Sequence, residues 1–579
     1  MAACVGCSNA KRDFGHDNGE SGGDGGTDDR AGGAGRAGAA GAGGRVTPAG
    51  GRASSADAGE AGSSDAAEAG AAGALSEGGA PDTGLPLSIV SVTPATPSAT
   101  TDDTVSVEFS RPVTANSAGA GISITDSRGA VAGTFALAGN VVTFQPRGSL
   151  CFDQKYQVSV STQVKTSDGV ALDASKTFKF SIPDGAWEDP QMLDTSATSN
   201  GGSPAAATDE VGNAIVGWSG SSPLVNYYDA QAAAWSGPVA PTFSAPNSNS
   251  GKILATALNG RAMLYYAGYG IAERAAGQTW TTTAESALLG TANHLFDASL
   301  ALNRDGSAIL TWDNQSGYDP GSVFAAIRAK GASSWLAPSD ALSGAWSITP
   351  HAHPMPDNSF LNIYDKRPSA GAFGNLVARR YQTASGWATE HAIRAGATPL
   401  TAHDSFGNLI VMASNGTSVA TYSFADDAWT PGPDLPPVVN VSARLALAGD
   451  GTAFCLYTEQ DYDNMIFRVL VRRFVDNQWL PEVELKTSDT STPSSVDIAA
   501  DDCGNAEVLW SDGSSLTADG FSVHARRYTP ASGWSPDLYV TTAPLLGSMS
   551  MNGRGQATLP IGTAGTTAGT YLPQAARFE

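Results

Sequence analysis

Eight tryptophans, Trp187, Trp235, Trp280, Trp335, Trp387, Trp429, Trp479 and Trp534, recur at intervals of 42 to 55 residues through the C-terminal two-thirds of the chain. A period of this length marks one supersecondary unit per repeat, each unable to bury its apolar surface without its neighbours. A second landmark lies inside each interval: turns such as TDEVGN, LNRDGS, HDSFGN and DDCGNA, whose Gly or Asn suits a tight hairpin. Take Gly212, Gly260, Gly306, Asn358, Gly407, Gly451, Gly504 and Gly555 as zero. The residue at plus six is then Trp218, Tyr266, Trp312, Tyr364, Ala413, Tyr457, Trp510 or Ile561, and at minus five Ala207, Ala255, Ala301, His353, Ala402, Ala446, Ala499 or Ser550.

These columns define a four-strand unit. An Ala-bearing strand enters the Gly turn, an apolar strand (AIVGW, AILTW, AEVLW) leaves it, a strand of the ARRY type follows, and the Trp opens the fourth. Four antiparallel strands per repeat predict a β-propeller over 187–579. Alanine suits the innermost strand, where blades converge and large side chains have no room. The unit resembles NHL-type propeller repeats, whose inner strand also runs into an Asp-x-x-Gly turn. The first segment after Trp187 supplies an outer strand, and the C-terminus supplies three strands, so strands from both termini are expected to seal the ring and remove its open edges. Eight blades are expected, or seven if one weak module is misread.

Residues 87–183 have another texture. LSIVSVTP, TVSVEFSRPV, GISITD, VVTFQP, YQVSVST and TFKFSI alternate apolar and polar residues between Gly, Asp and Pro turns, which predicts a β-sandwich. The alternation places Val105, Val107 and Phe109 on one strand face, and Tyr156, Val158 and Val160 on another. With SVEFSRPV, FQPRGSL and the closing FKFSI, the segment resembles bacterial Ig-like domains of surface-layer and secreted proteins. That resemblance implies a spacer or adhesion module. The expected class is therefore all-β: a disordered N-terminal tail, an Ig-like β-sandwich and a β-propeller.

Residues 1–86 are a Gly, Ala, Ser and Asp tract that cannot bury enough surface to offset chain entropy, and are expected to be a disordered spacer. At its start, MAACVGCSNAKR resembles the lipobox of bacterial lipoproteins, in which a Cys after small residues is acylated. That resemblance implies lipidation at Cys7 or Cys4, and a cell-envelope location at the outer membrane or cell surface. No basic and apolar leader precedes these residues, so the true start is expected further upstream. A run of 18 or more apolar residues is absent, and no transmembrane helix is expected. Cys151, Cys455 and Cys503 lack neighbouring ligands and are read as buried or idle thiols. A net charge of −23 opposes nucleic-acid binding.

Repeated positions read as architecture. Arg379, Arg380, Arg472, Arg473, Arg526 and Arg527 recur in equivalent strands, as blade-edge solvation or salt bridges. The aromatic column reads as inter-blade packing, with a sugar-stacking platform as the alternative. Exceptions carry more information. Two places before the alanine column stand His351, Arg444 and Asp497, costly to bury unpaired and expected at a wet central channel. His351 and His353 share a strand face, but no third metal ligand is identifiable, so no metal site is assigned. The long inter-strand loops bring Asp313, Tyr318, Asp319, Asp365, Arg367, Asp461, Tyr462 and Asp463 toward one end of the ring, with Trp346 from a neighbouring loop. Mixed carboxylates and aromatics suit a glycan, a basic peptide or a cation; calcium is the lesser alternative, because Asp461 and Asp463 do not form an EF-hand loop.

The expected function is a non-enzymatic, surface-tethered binding or adhesion protein, monomeric and without a cofactor, whose propeller loops take an extracellular glycan or protein ligand. The alternative is a glycan-active propeller enzyme, a glycosidase or lyase. The Gly-to-aromatic spacing of six departs from the sialidase Asp-box, and no catalytic residue is assigned.

Overall fold

The computed structural model describes residues 85–579 except 96–98, 101–103, 147–149, 196–203, 220–221, 244–251, 276, 290–294, 315–320, 339–341, 343–345, 370–371, 373, 414–417, 436–442, 462, 489–492, 494, 514–520, 544 and 565–570. The spacer, Cys4 and Cys7 lie outside these residues. Among the described residues, no helix is long and apolar enough to cross a membrane.

The first folded region is a sandwich of two four-stranded sheets. One runs Ile89–Thr93, Val105–Phe109, Val141–Pro146, Gly133–Ala138; the other runs Gly129–Ala130, Ile122–Asp126, Gln154–Val160, Lys176–Ile182. The alternation sets the inward faces: Val105, Val107, Phe109, Tyr156, Val158 and Val160 are all at most 2% exposed and share one core.

Eight further sheets follow, which we number as blades 1 to 8. Their innermost strands are Ala205–Thr208, Ile253–Leu258, Ala298–Leu302, Ser347–Pro354, Pro399–His403, Ala443–Leu447, Val496–Ala500 and Ser550–Met551. Each lies against the innermost strand of the next blade, and the eighth returns to the first. The ring is thus an eight-bladed propeller. Its seal is mixed: Tyr571–Phe578 pairs with Gln191–Met192, and Trp187 bridges to Phe578. A strand from each end of the ring's sequence thus completes the last sheet.

The Gly turn has a local cause. Asp209 Oδ1 accepts from the Asn213 amide at 2.9 Å, and Asp404 and Asp501 do the same for Asn408 and Asn505. The carboxylate caps the loop, and closing it puts Gly212 at φ +88° and Gly504 at φ +89°, where a Cβ would be strained. The plus-six column is buried throughout, with Trp218, Trp312 and Trp510 at 1% exposure or less, which rules out a stacking platform in favour of inter-blade packing.

Two expectations need correction. Cys151 and Cys503 are not idle thiols: they form a disulfide across 352 residues, with Cα atoms 6.1 Å apart, tying the sandwich to blade 7. Cys455 remains a buried free thiol. The repeated arginines form the expected salt bridges, Arg380 with Asp357, Arg472 with Glu482 and Arg527 with Asp184, but some of them are buried in seams rather than solvated at blade edges. Arg527 and its counterpart Arg577 are 6% and 1% exposed, and each stacks on an aromatic ring of the next blade: Arg473 over Tyr528, Arg527 over Phe578, Arg577 over Tyr228. A planar guanidinium fills a seam that an ammonium could not.

The loop-face channel mouth as candidate functional site

Antiparallel blades send their first-to-second and third-to-fourth turns to one end of the ring and the other loops to the opposite end. The sandwich docks on the turn end. Arg128 donates to the Asp502 carbonyl at 3.1 Å, and Asn505 Nδ2 donates to the Phe152 carbonyl at 3.1 Å, both on the blade 7 turn. At the opposite end the innermost strands begin. Each is partly exposed, most of all in blades 2 and 6, whereas the second strands beside them are almost wholly buried, so the space they surround admits solvent.

An innermost strand is an edge strand with unpaired N–H groups, and the preceding blade satisfies some of them with a side chain. Ser299 Oγ accepts from Ala352 N at 3.0 Å, Ser550 Oγ from Thr208 N at 2.9 Å, and Asp497 Oδ2 from Met549 N at 2.7 Å. Asp497 also accepts from its neighbour Ile498. Burial raises its pKa, against the pull of Met549 and of Arg444 in the adjacent blade. Arg444 is half-buried, and among the described residues its guanidinium bonds only to the Ala443 carbonyl, at 3.2 Å.

Across the mouth, Lys252 and Asp297 form an ion pair at 3.5 Å, and both act electrostatically on His351. Burial, then the charge of Lys252, pulls the His351 imidazole down to about 4. His353, 6% exposed, has its Nε2 3.0 Å from Thr401 Oγ1 and its Nδ1 3.1 Å from Nδ1 of His403. Among the described residues no three His, Cys, Asp or Glu are grouped to hold a metal ion.

The loop residues do not converge on one surface. Asp313 and Asp365 are buried at 1% and 0% exposure, in seams between blades: Asp313 Oδ2 accepts from Thr349 N at 2.8 Å, and Asp365 Oδ2 from Thr398 N at 3.1 Å. Asp365 also pairs with Arg367 at 2.7 Å, so that arginine is held beside the blade 4 edge. The half-buried Trp346 has φ +66°, and its carbonyl accepts from the Arg367 amide. Asp461 and Asp463 stand at a solvent-facing loop, where Asp461 accepts from Asn464 and the Asp463 amide. Tyr318, Asp319 and Tyr462 lie outside the described residues. The mouth therefore collects His351, Arg444 and Asp497 with Lys252 and Asp297, the last two missed in the sequence because they stand one and two places before the column that carries the others.

Comparison with known families settles one region. Residues 83–182 match the bacterial Ig-like domain family. The Ig-like domain is thus the sandwich that the disulfide ties to blade 7. A comparison with curated proteins finds no match. Among solved structures, a Dyadobacter fermentans protein of unknown function is 10% identical, with 69% of this chain and 100% of that one covered and a TM-score of 0.33. A PL25 polysaccharide lyase, an ulvan lyase, is 10% identical over 67% and 93%, with a TM-score of 0.37. The α-L-arabinofuranosidase Arb93A from Fusarium graminearum is 11% identical over 68% and 97%, with a TM-score of 0.31. Values this low carry no argument about activity.

Proposed function

We propose that this chain is a non-enzymatic, extracytoplasmic binding protein that takes a polar ligand, a glycan or a protein segment, at the channel mouth of its loop face. The observation that carries the reading is Arg444: a half-buried guanidinium at the mouth without an ion-pair partner among the described residues, beside Asp497. A half-buried cation whose guanidinium makes one hydrogen bond among the described residues keeps donors free for a ligand's hydroxyls or carboxylate. The Ig-like domain occupies the turn end near blades 7 and 8, which leaves the loop end as the binding face. The Cys151–Cys503 disulfide supports an oxidising location outside the cytoplasm.

Glycan-array binding of the full chain against an Arg444→Ala variant tests the reading. Saturable binding that the variant loses supports it; binding unchanged in the variant overturns the mouth as the site. Tethering through Cys7 or Cys4 is a separate part of the proposal. Labelled palmitate incorporated by the wild type and lost in a Cys4→Ser, Cys7→Ser variant would support that tether.

A further inference from the structure

The third strand of each blade ends in a position opposite the start of the second strand. In six blades this position is aromatic and packs on the blade's own tryptophan: Tyr228 on Trp235, Tyr381 on Trp387, Tyr422 on Trp429, Phe474 on Trp479, Tyr528 on Trp534 and Phe578 on Trp187, with ring centres 5.0–5.7 Å apart. Blades 2 and 3 break the rule. They carry Arg274 and Arg328 there, opposite Ala262 and Ala308. A third exception adjoins them: Arg261, just past the blade 2 turn, where the other blades carry Asn, Gln, Ser or Thr.

All three arginines line one crevice of about 80 Å³ between blades 2 and 3, at the turn end of the ring, with Glu273, Gln278 and Thr281. A single water needs only about 10–15 Å³ by this measure, so the space suits a small ion rather than one solvent molecule. Glu273 is the only carboxylate among its lining residues, and it pairs with Arg328. Arg328 also donates to the Gly306 carbonyl at 2.9 Å, but its buried Nε has no hydrogen-bond partner. Its side chain is 5% exposed. The Arg261 guanidinium packs over the same Gly306, within about 3 Å of where a Cβ would stand, and has no ion pair or hydrogen bond among the described residues. Arg274 lies 4.2 Å over the Tyr227 ring and donates to the Gln278 carbonyl at 2.9 Å.

Structure alone accounts for part of this. The Tyr227–Arg274 and Glu273–Arg328 pairs clamp their seams as Arg473–Tyr528 and Arg577–Tyr228 clamp theirs. Arg261 has no part in such a clamp. It adds a like charge beside a buried arginine, which destabilises the seam unless a counter-charge arrives. In a chain of net charge −23, an excess of positive charge confined to one crevice calls for a specific reason.

We propose that this crevice is an oxyanion site that takes a sulfate, phosphate or carboxylate group, with the Arg261 guanidinium as its donor beside the charge of Arg328. The site is separate from the channel mouth and does not depend on a ligand there. Guanidinium forks match such oxygens with directed, charge-assisted bonds.

Calorimetric titration of the full chain with sodium sulfate, sodium phosphate and sodium acetate, at ionic strength matched with chloride, tests it. Arg261→Gln is the informative variant, because Arg261 holds no partner whose loss would unfold the blade. Saturable binding of at least one of the three anions by the wild type, weakened tenfold or more by Arg261→Gln but not by Arg111→Gln in the Ig-like domain, is the expected result. No saturable heat with any of the three anions, or equal affinity in Arg261→Gln, overturns the proposal. A circular dichroism melt of each variant shows that both remain folded.

Discussion

The guanidinium of Arg577, on the last strand of the chain, stands 3.8 Å from the ring centre of Tyr228 in the first blade. It also donates to the Gly212 carbonyl at 2.9 Å and to Thr558 Oγ1 at 3.1 Å, so one side chain ties the seam where the ring closes. Arg577→Met keeps the bulk, removes these bonds and leaves their acceptors buried. A loss of about 1–3 kcal/mol is expected, measured by chemical denaturation. The same substitution at the exposed edge residue Lys176 should cost under about 0.5 kcal/mol.

Trp312 is fully buried and stacks on Phe324 with ring centres 5.9 Å apart. Because it packs blade against blade and touches no ligand face, Trp312→Ala is expected to cost about 3–5 kcal/mol in stability. Ligand affinity of the protein that remains folded should be unchanged; a selective loss of affinity would restore the stacking-platform reading.

The Cys151–Cys503 link predicts a specific peptide map. An unreduced digest should contain the two cysteine peptides joined, and reduction should release them with Cys455 already free. A Cys151→Ser, Cys503→Ser variant should lose about 2–5 kcal/mol, because the crosslink restrains a long loop of the unfolded chain.

The histidines of blades 4 and 5 give a pH dependence. Burial, then the proximity of His403 and His351, holds His353 well below the usual value of 6.5. The unfolded chain therefore binds more protons than the folded one as the pH falls below about 6.5. Stability contributed by this neutral imidazole is complete above pH 6.5 and falls on acidification. Melting His353→Gln and wild type from pH 7.5 to 4.5 should show the wild type losing more stability than the variant. Parallel curves would refute the assignment.

The architecture was readable because a propeller repeats its own contacts. The Gly212-type turn needs a positive φ in every blade, and the Trp218-type residue fills the same seam, so each leaves a column in the sequence. What depends on pairing across the ring left no such trace. Nothing near Cys151 points to a partner 352 residues away. Asp313 and Asp365 sit where strands give way to loops and read as surface carboxylates, yet their oxygens satisfy amides of the next blade. Arg380 and Arg527 share a column, and each lies over a ring of the next blade, Phe424 and Phe578, a packing that the arginines alone do not announce. At the mouth, His351, Arg444 and Asp497 stood out as exceptions to the repeat, while Lys252 and Asp297 fell just outside its aligned positions.

The proposed binding without turnover at the channel mouth is open to a single titration. Its most direct test takes the best-bound array glycan, titrates it calorimetrically into the full chain and the Arg444→Ala variant, and follows new reducing ends or unsaturated products in the same solutions. Saturable binding by the wild type, at least tenfold weaker in Arg444→Ala, with no product from either, is expected. Product that disappears on substitution of a single carboxylate, or equal affinity in the two proteins, would contradict it.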